Sequence, residues 1–113
     1  MARRRDDAWH WTVAEAAGRG PDPGRASAGV FAHSEIEVRY FAPYPEDRQS
    51  PHSRDELYFV ARGRAVFERA RDRLEVGPGD VLLVPAQMPH RFVEMSEDFA
   101  TWVVFYPGTE PGS

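Results

Sequence analysis

From Val30 to Tyr106 turn residues cut the sequence at intervals of about eight to twelve, and between the cuts the apolar residues recur with a period near two. Ile36, Val38 and Tyr40 alternate with Glu37 and Arg39, the pattern of a strand with one face covered. "APYPEDRQSP" cannot continue that strand, because three prolines remove amide donors and fix the backbone, so a loop of about ten residues is expected. Then come "ELYFVA", Gly63, "RAVFERA", a turn near Arg71-Asp72, "RLEV", the turn "GPGD", "VLLVPA", "HRFVEM" and "FATWVVFY". Short strands joined in this way predict an all-β sandwich or barrel. "AVFERARDRLEV" also offers the charge pairs of a helix. Gly63 upstream, Val66 and Phe67 within, and "GPGD" at the end favour a hairpin there.

Ahead of the strands, Thr12 and Glu15 form a capping-box pattern and Gly18 stops it, which predicts one or two helical turns near residues 12–17. A chain of 113 residues holds one core. The expected division is an N-terminal segment over 1–29, a β domain over 30–106 and a flexible tail over 107–113. Arg3, Arg4 and Arg5 are followed at once by Asp6 and Asp7, so they read as a solvated terminus. With a net charge of -4 there is no basic field to attract nucleic acid. No apolar run is long enough to span a bilayer and "MARRRDDAWHW" lacks the apolar segment of a secretory signal, so a cytoplasmic location is expected.

The chain has no cysteine, which leaves histidine and carboxylates as its strong metal ligands. His10, between Trp9 and Trp11, suits a packed or surface role, and His33 beside Ser34 suits a turn. His52 and His90 each stand next to a proline at the entry of an apolar strand, where a barrel mouth would lie. His52 and Glu56 would be roughly 13 Å apart on an extended chain, so joint ligation requires a bend around Ser53-Arg54-Asp55. A second reading takes Ser50 as a helix cap and makes His52 and Glu56 a helical pair, but Leu57-Tyr58-Phe59-Val60 favours a strand. If Glu56 faces inward, Tyr58 and Val60 follow it; if His90 does, Phe92 and Glu94 follow. The result is an aromatic cavity with a polar patch at one end, the usual make-up of a small-molecule pocket.

Two stretches taken together resemble the cupin superfamily, over residues from about 30 to 106. "SPHSRDELYFVARG" is similar to its first motif and supplies His52, Glu56 and Gly63, with Ser50 where a first histidine belongs. "GDVLLVPAQMPHRFVE" is similar to the second and supplies Gly79, Pro85 and His90, with Gln87 in place of a glycine and Glu94 in place of a frequent asparagine. The resemblance, nearest to small bacterial proteins of the "cupin 2" kind, implies a single jelly-roll, or double-stranded β-helix, barrel with a metal inside. It also implies a homodimer. Cupins with the full motif use three histidines and a glutamate; here two histidines and a carboxylate remain, the donor set of non-haem iron oxygenases. Serine is a poor ligand for a divalent transition metal, so water, Gln49 or substrate would have to fill the place of Ser50.

Two function classes follow. In the first, His52, Glu56 and His90 hold Fe, Mn, Zn or Ni, and Tyr58, Val60, Phe92 and Trp102 line a pocket for dioxygenase, isomerase or lyase chemistry on a small molecule. Tyr58 or Glu94 would serve as acid or base there, although Glu94 reads better as a strand-end carboxylate paired with an arginine. In the second, the barrel binds a small molecule without metal or catalysis, as the missing histidine would allow.

Overall fold

The computed structural model describes residues 8–107. The expectations for Arg3 to Asp7 and for the tail after Pro107 lie outside those residues. Thr12 caps a short helix, α1 (Val13–Ala17), and both halves of the capping box form: Thr12 Oγ1 accepts from Glu15 N at 3.1 Å and the Glu15 carboxylate accepts from Thr12 N at 2.8 Å. Eight strands follow: β1 (Ser27–His33), β2 (Ile36–Phe41), β3 (Asp55–Arg62), β4 (Ala65–Arg69), β5 (Asp72–Val76), β6 (Val81–Val84), β7 (His90–Val93) and β8 (Ala100–Tyr106). They form a five-stranded sheet in the order β1-β2-β8-β3-β6 and a three-stranded sheet in the order β5-β4-β7, with antiparallel neighbours throughout. The chain crosses between the sheets at β3–β4, β5–β6, β6–β7 and β7–β8, as in a jelly roll. No helix among the described residues is long and apolar enough to cross a membrane.

The segment with mixed propensity is a hairpin. Ala65 pairs with Val76 and Arg69 with Asp72, and Ala70 turns the chain at φ 53°. Phe67 is buried in the core, and half-buried Val66 pairs with Glu75 and Val93. Strand β1 starts at Ser27, ahead of Val30, because Ser27 and Ala28 already pair with Phe41 and Tyr40. Gly63 sits at φ 71°, and a Cβ there would lie 2.7 Å from the Phe99 backbone, so the turn from β3 to β4 requires glycine.

Two apolar clusters lie on opposite faces of the large sheet. Between the sheets, Tyr58, Val60, Phe67, Phe92, Phe99, Val103 and Phe105 form the barrel interior, with the Phe92 ring tilted against both Phe67 and Phe99 at centroid distances of 4.8 Å. Outside it, Ala16 of α1, Val38, Tyr40 and Ala100 pack with Trp11, Phe31, Trp102 and Val104. Both faces of β8 are therefore covered by apolar groups. The barrel interior fills one end and leaves room at the other, where β3 and β7 begin.

Candidate metal centre

Strand alternation puts Glu56, Tyr58 and Val60 on the inner face of β3, and His90 and Phe92 on the inner face of β7. A bend at Ser53-Arg54, not a helical turn, swings His52 back over the strand, so His52 Nε2 lies 3.7 Å from Glu56 Oε2. His90 Nε2 reaches the same oxygen at 3.4 Å. One donor atom from each of the three residues lies within 4.8 Å of the others. The loops carrying the two histidines are tied together, because the Gln87 amide donates to the His52 carbonyl at 2.7 Å. Gln87 adopts φ 68° to do so, which is why a glycine is at home at that position.

Gln49 completes the ring of donors. Its amide nitrogen donates to Asp47 Oδ2 at 3.0 Å, so its carbonyl oxygen must face the cluster, 3.1 Å from His52 Nε2 and 3.3 Å from the Tyr58 hydroxyl. Asp47 is buried and also accepts from Gln49 N and, across the barrel, from Phe92 N at 2.9 Å. Ser50 is exposed and stands aside from this arrangement. For metal–ligand bonds of about 2.1 Å, neighbouring donors in tetrahedral or octahedral geometry stand roughly 3.0–3.4 Å apart. Separations of 3.1, 3.4 and 3.7 Å are close to those of such a polyhedron.

The electrostatics agree. Glu56 is 1% exposed, and neither carboxylate oxygen has a hydrogen-bond partner among the described residues. Burial pushes its carboxyl up to about 7, and the nearby Tyr58 hydroxyl and then Arg54 pull only partly against this. A buried acid without a hydrogen bond is costly as an anion, and a cation between it and two imidazoles removes that cost. His90 Nδ1 lies 2.8 Å from the Met88 carbonyl, which can only accept, so Nδ1 carries the proton and Nε2 keeps its lone pair toward Glu56. Burial and the Glu56 carboxylate hold the Tyr58 phenol well above its ordinary value, so it remains a donor; its oxygen is 3.1 Å from His90 Nε2.

The remaining sequence expectations divide. Tyr58 is at the site; Val60 and Phe92 share its face but lie deeper, in the packed interior. Trp102 is not a pocket wall. It packs against Tyr40, with ring centroids 5.2 Å apart, on the opposite face of the sheet, and Phe105 and Val103 take the inner positions. Glu94 leaves the alternation at φ 49°, is exposed and pairs with Arg73. His10 is exposed ahead of α1, and His33 is exposed beside a turn in which Ser34 has φ 52°. A cavity of about 80 Å³ opens at the donors, between Gln49, His52, Glu56 and Tyr58 on one side and Phe41, Phe105 and the 25–27 segment on the other. Sequence reasoning passed over Asp47, whose signal was an Asx turn in "EDRQ". It also passed over Arg25 and Phe105.

The comparisons with known proteins agree with this geometry. The Cupin domain family profile matches residues 38–106. An uncharacterized protein of Streptomyces coelicolor, SCO3923, is 44% identical over 61 residues, a stretch that is 54% of this chain and 58% of that protein. Among solved structures, an uncharacterized conserved protein with a double-stranded beta-helix domain from Klebsiella pneumoniae superposes with a TM-score of 0.71 at 17% identity, over 91% of this chain and 93% of that one. A Cupin 2 conserved barrel domain protein from Salinispora arenicola does so with a TM-score of 0.66 at 18% identity, over 88% and 90%. With a profile spanning most of its length and a double-stranded β-helix for a fold, the chain belongs to the cupin-domain family.

Proposed function

We propose that this cupin domain binds one divalent metal ion through His52 Nε2, Glu56 and His90 Nε2, with the Gln49 carbonyl oxygen as a fourth donor, and acts on a small organic molecule at the open side of the ion. The observation that carries the reading is the buried, unpartnered Glu56 carboxylate facing two imidazole nitrogens. Two nitrogens and oxygen donors suit Fe, Mn, Zn or Ni. The ion would supply Lewis acidity toward a substrate oxygen or, as iron, dioxygen chemistry of the dioxygenase type; isomerase and lyase reactions beside a carbonyl use the former.

The chain's own residues hold the protons. Glu56 gives up its proton to become a ligand, and the raised value of its carboxyl makes that release occur near neutrality. Tyr58, kept as a phenol, holds a proton at Oη on the rim of the donor cluster, where it can be donated to a substrate oxygen. Phe105 and Phe41 wall the cavity and limit water. Glu94, paired with Arg73 outside the barrel, takes no part.

A second reading, binding of a small molecule without metal, draws on Ser50 in the place of a ligand and on the Gln49–His52 and Gln49–Tyr58 contacts, which partner these donors within the protein. Elemental analysis after growth with several divalent ions separates the two. The metal reading expects a stoichiometric ion in wild type and its loss in His52→Ala, Glu56→Gln and His90→Ala; a metal-free wild type supports the second.

A further inference from the structure

We propose that Arg25 makes this cavity selective for small organic anions, by pairing with a carboxylate at its mouth while the rest of the molecule faces His52, Glu56 and His90. This deepens the reading of the same site and names its substrate class. Arg25 lines the cavity together with Ala26 and Ser27. It is exposed, makes no ion pair with any described residue, and is the weakest of the influences on the nearby Asp22 carboxylate. The neighbouring arginines are already used. Arg39 is buried against Asp22 and Glu37, and Arg54 is bound to Glu37 and lies 4.3 Å from the Phe105 ring centre.

The segment that presents Arg25 is fixed. Arg25 N donates to the Asp22 carbonyl at 2.9 Å, Asp22 N donates to the Ser27 carbonyl at 3.1 Å, and Asp22 Oδ2 accepts from Gly29 N and Arg39 Nη2. An arginine whose backbone is held by such a turn at a cavity rim presents a guanidinium fork suited to a carboxylate. The local charge favours the same ligand. The Asp22 and Glu37 carboxylates are matched by Arg39 and Arg54, and Asp47 is satisfied by three N–H donors. A divalent ion held by Glu56 and neutral donors stays positive, and Arg25 adds to it. With about 80 Å³ available, the acid is short. Arg25 lies outside the matched stretch 38–106, so the selectivity belongs to the N-terminal segment of this chain.

The test compares lactate and glycolate with lactamide and glycolamide, pairs that differ by one charge, by calorimetric titration into metal-loaded and chelator-stripped protein. Wild type is expected to prefer the acids at least tenfold, less so as salt is raised. Arg25→Gln abolishes the preference and Arg25→Lys keeps part of it, both with the metal content and melting temperature of wild type. Equal binding of acids and amides, no binding of either, or a preference that survives Arg25→Gln overturns the proposal. Wild type without metal overturns the metal-centre reading instead, because the Arg25-dependent preference is read separately in stripped protein.

Discussion

The Asp47 carboxylate accepts the side-chain N–H of Gln49 at 3.0 Å and thereby turns the Gln49 carbonyl oxygen toward His52. A loop residue thus offers an oxygen donor beside Ser50, which is exposed and stands aside from the cluster. Asp47 also anchors that loop to β7 through Phe92 N.

Replacing Asp47 by alanine frees the Gln49 amide to rotate and leaves a buried N–H without its acceptor. Stability should fall by roughly 1–3 kcal/mol in urea unfolding. Metal affinity should fall about tenfold or more, as is usual when the group orienting a ligand is removed. Gln49→Ala should show the loss of affinity with little of the loss of stability.

Glu56 sets a pH dependence whose sign is definite. Its carboxyl is raised from 4.5 to about 7 by burial, so the folded state holds a proton that the unfolded state gives up. That contribution to stability is complete below about 4.5 and is lost as pH rises through 7. Chelator-stripped wild type should therefore lose up to roughly 3 kcal/mol relative to Glu56→Gln between pH 5 and pH 8. A constant difference across that range would count against a buried, protonated Glu56.

Gln87 holds a left-handed backbone that glycine adopts without strain. Gln87→Gly should stabilise the protein by up to about 1 kcal/mol in thermal or urea unfolding, with metal affinity unchanged.

The strands and the β4–β5 hairpin were legible in the sequence. The set Glu56, Tyr58, Val60, His90 and Phe92 followed only on the condition that Glu56 and His90 face inward, because Arg91 marks the outer face of β7 but Leu57 and Phe59 give β3 no polar outer face. On β8 alternation has no phase. Trp102 and Val104 face α1 and its cluster while Val103 and Phe105 face the barrel, and with both faces apolar the pattern cannot say which is inside. Glu94 was carried inward by an alternation that its positive φ interrupts. Asp47 and Arg25 act from irregular segments, where spacing carries no directional information.

Trp102 provides a direct check of that assignment. Trp102→Ala should cost about 2 kcal/mol of stability through lost packing with Tyr40, and should leave metal and ligand affinities at wild-type values. Altered metal binding at unchanged stability would put Trp102 back at the cavity.

The central claim is a single metal centre built by His52, Glu56 and His90, and its most direct measurement is a titration of chelator-stripped protein with Zn(II) or Mn(II). One ion per chain should bind, with about one proton released near pH 6.5 as Glu56 ionises, and none should bind stoichiometrically to Glu56→Gln or His90→Ala. An absence of stoichiometric binding by wild type, or binding that both variants retain, would contradict the account.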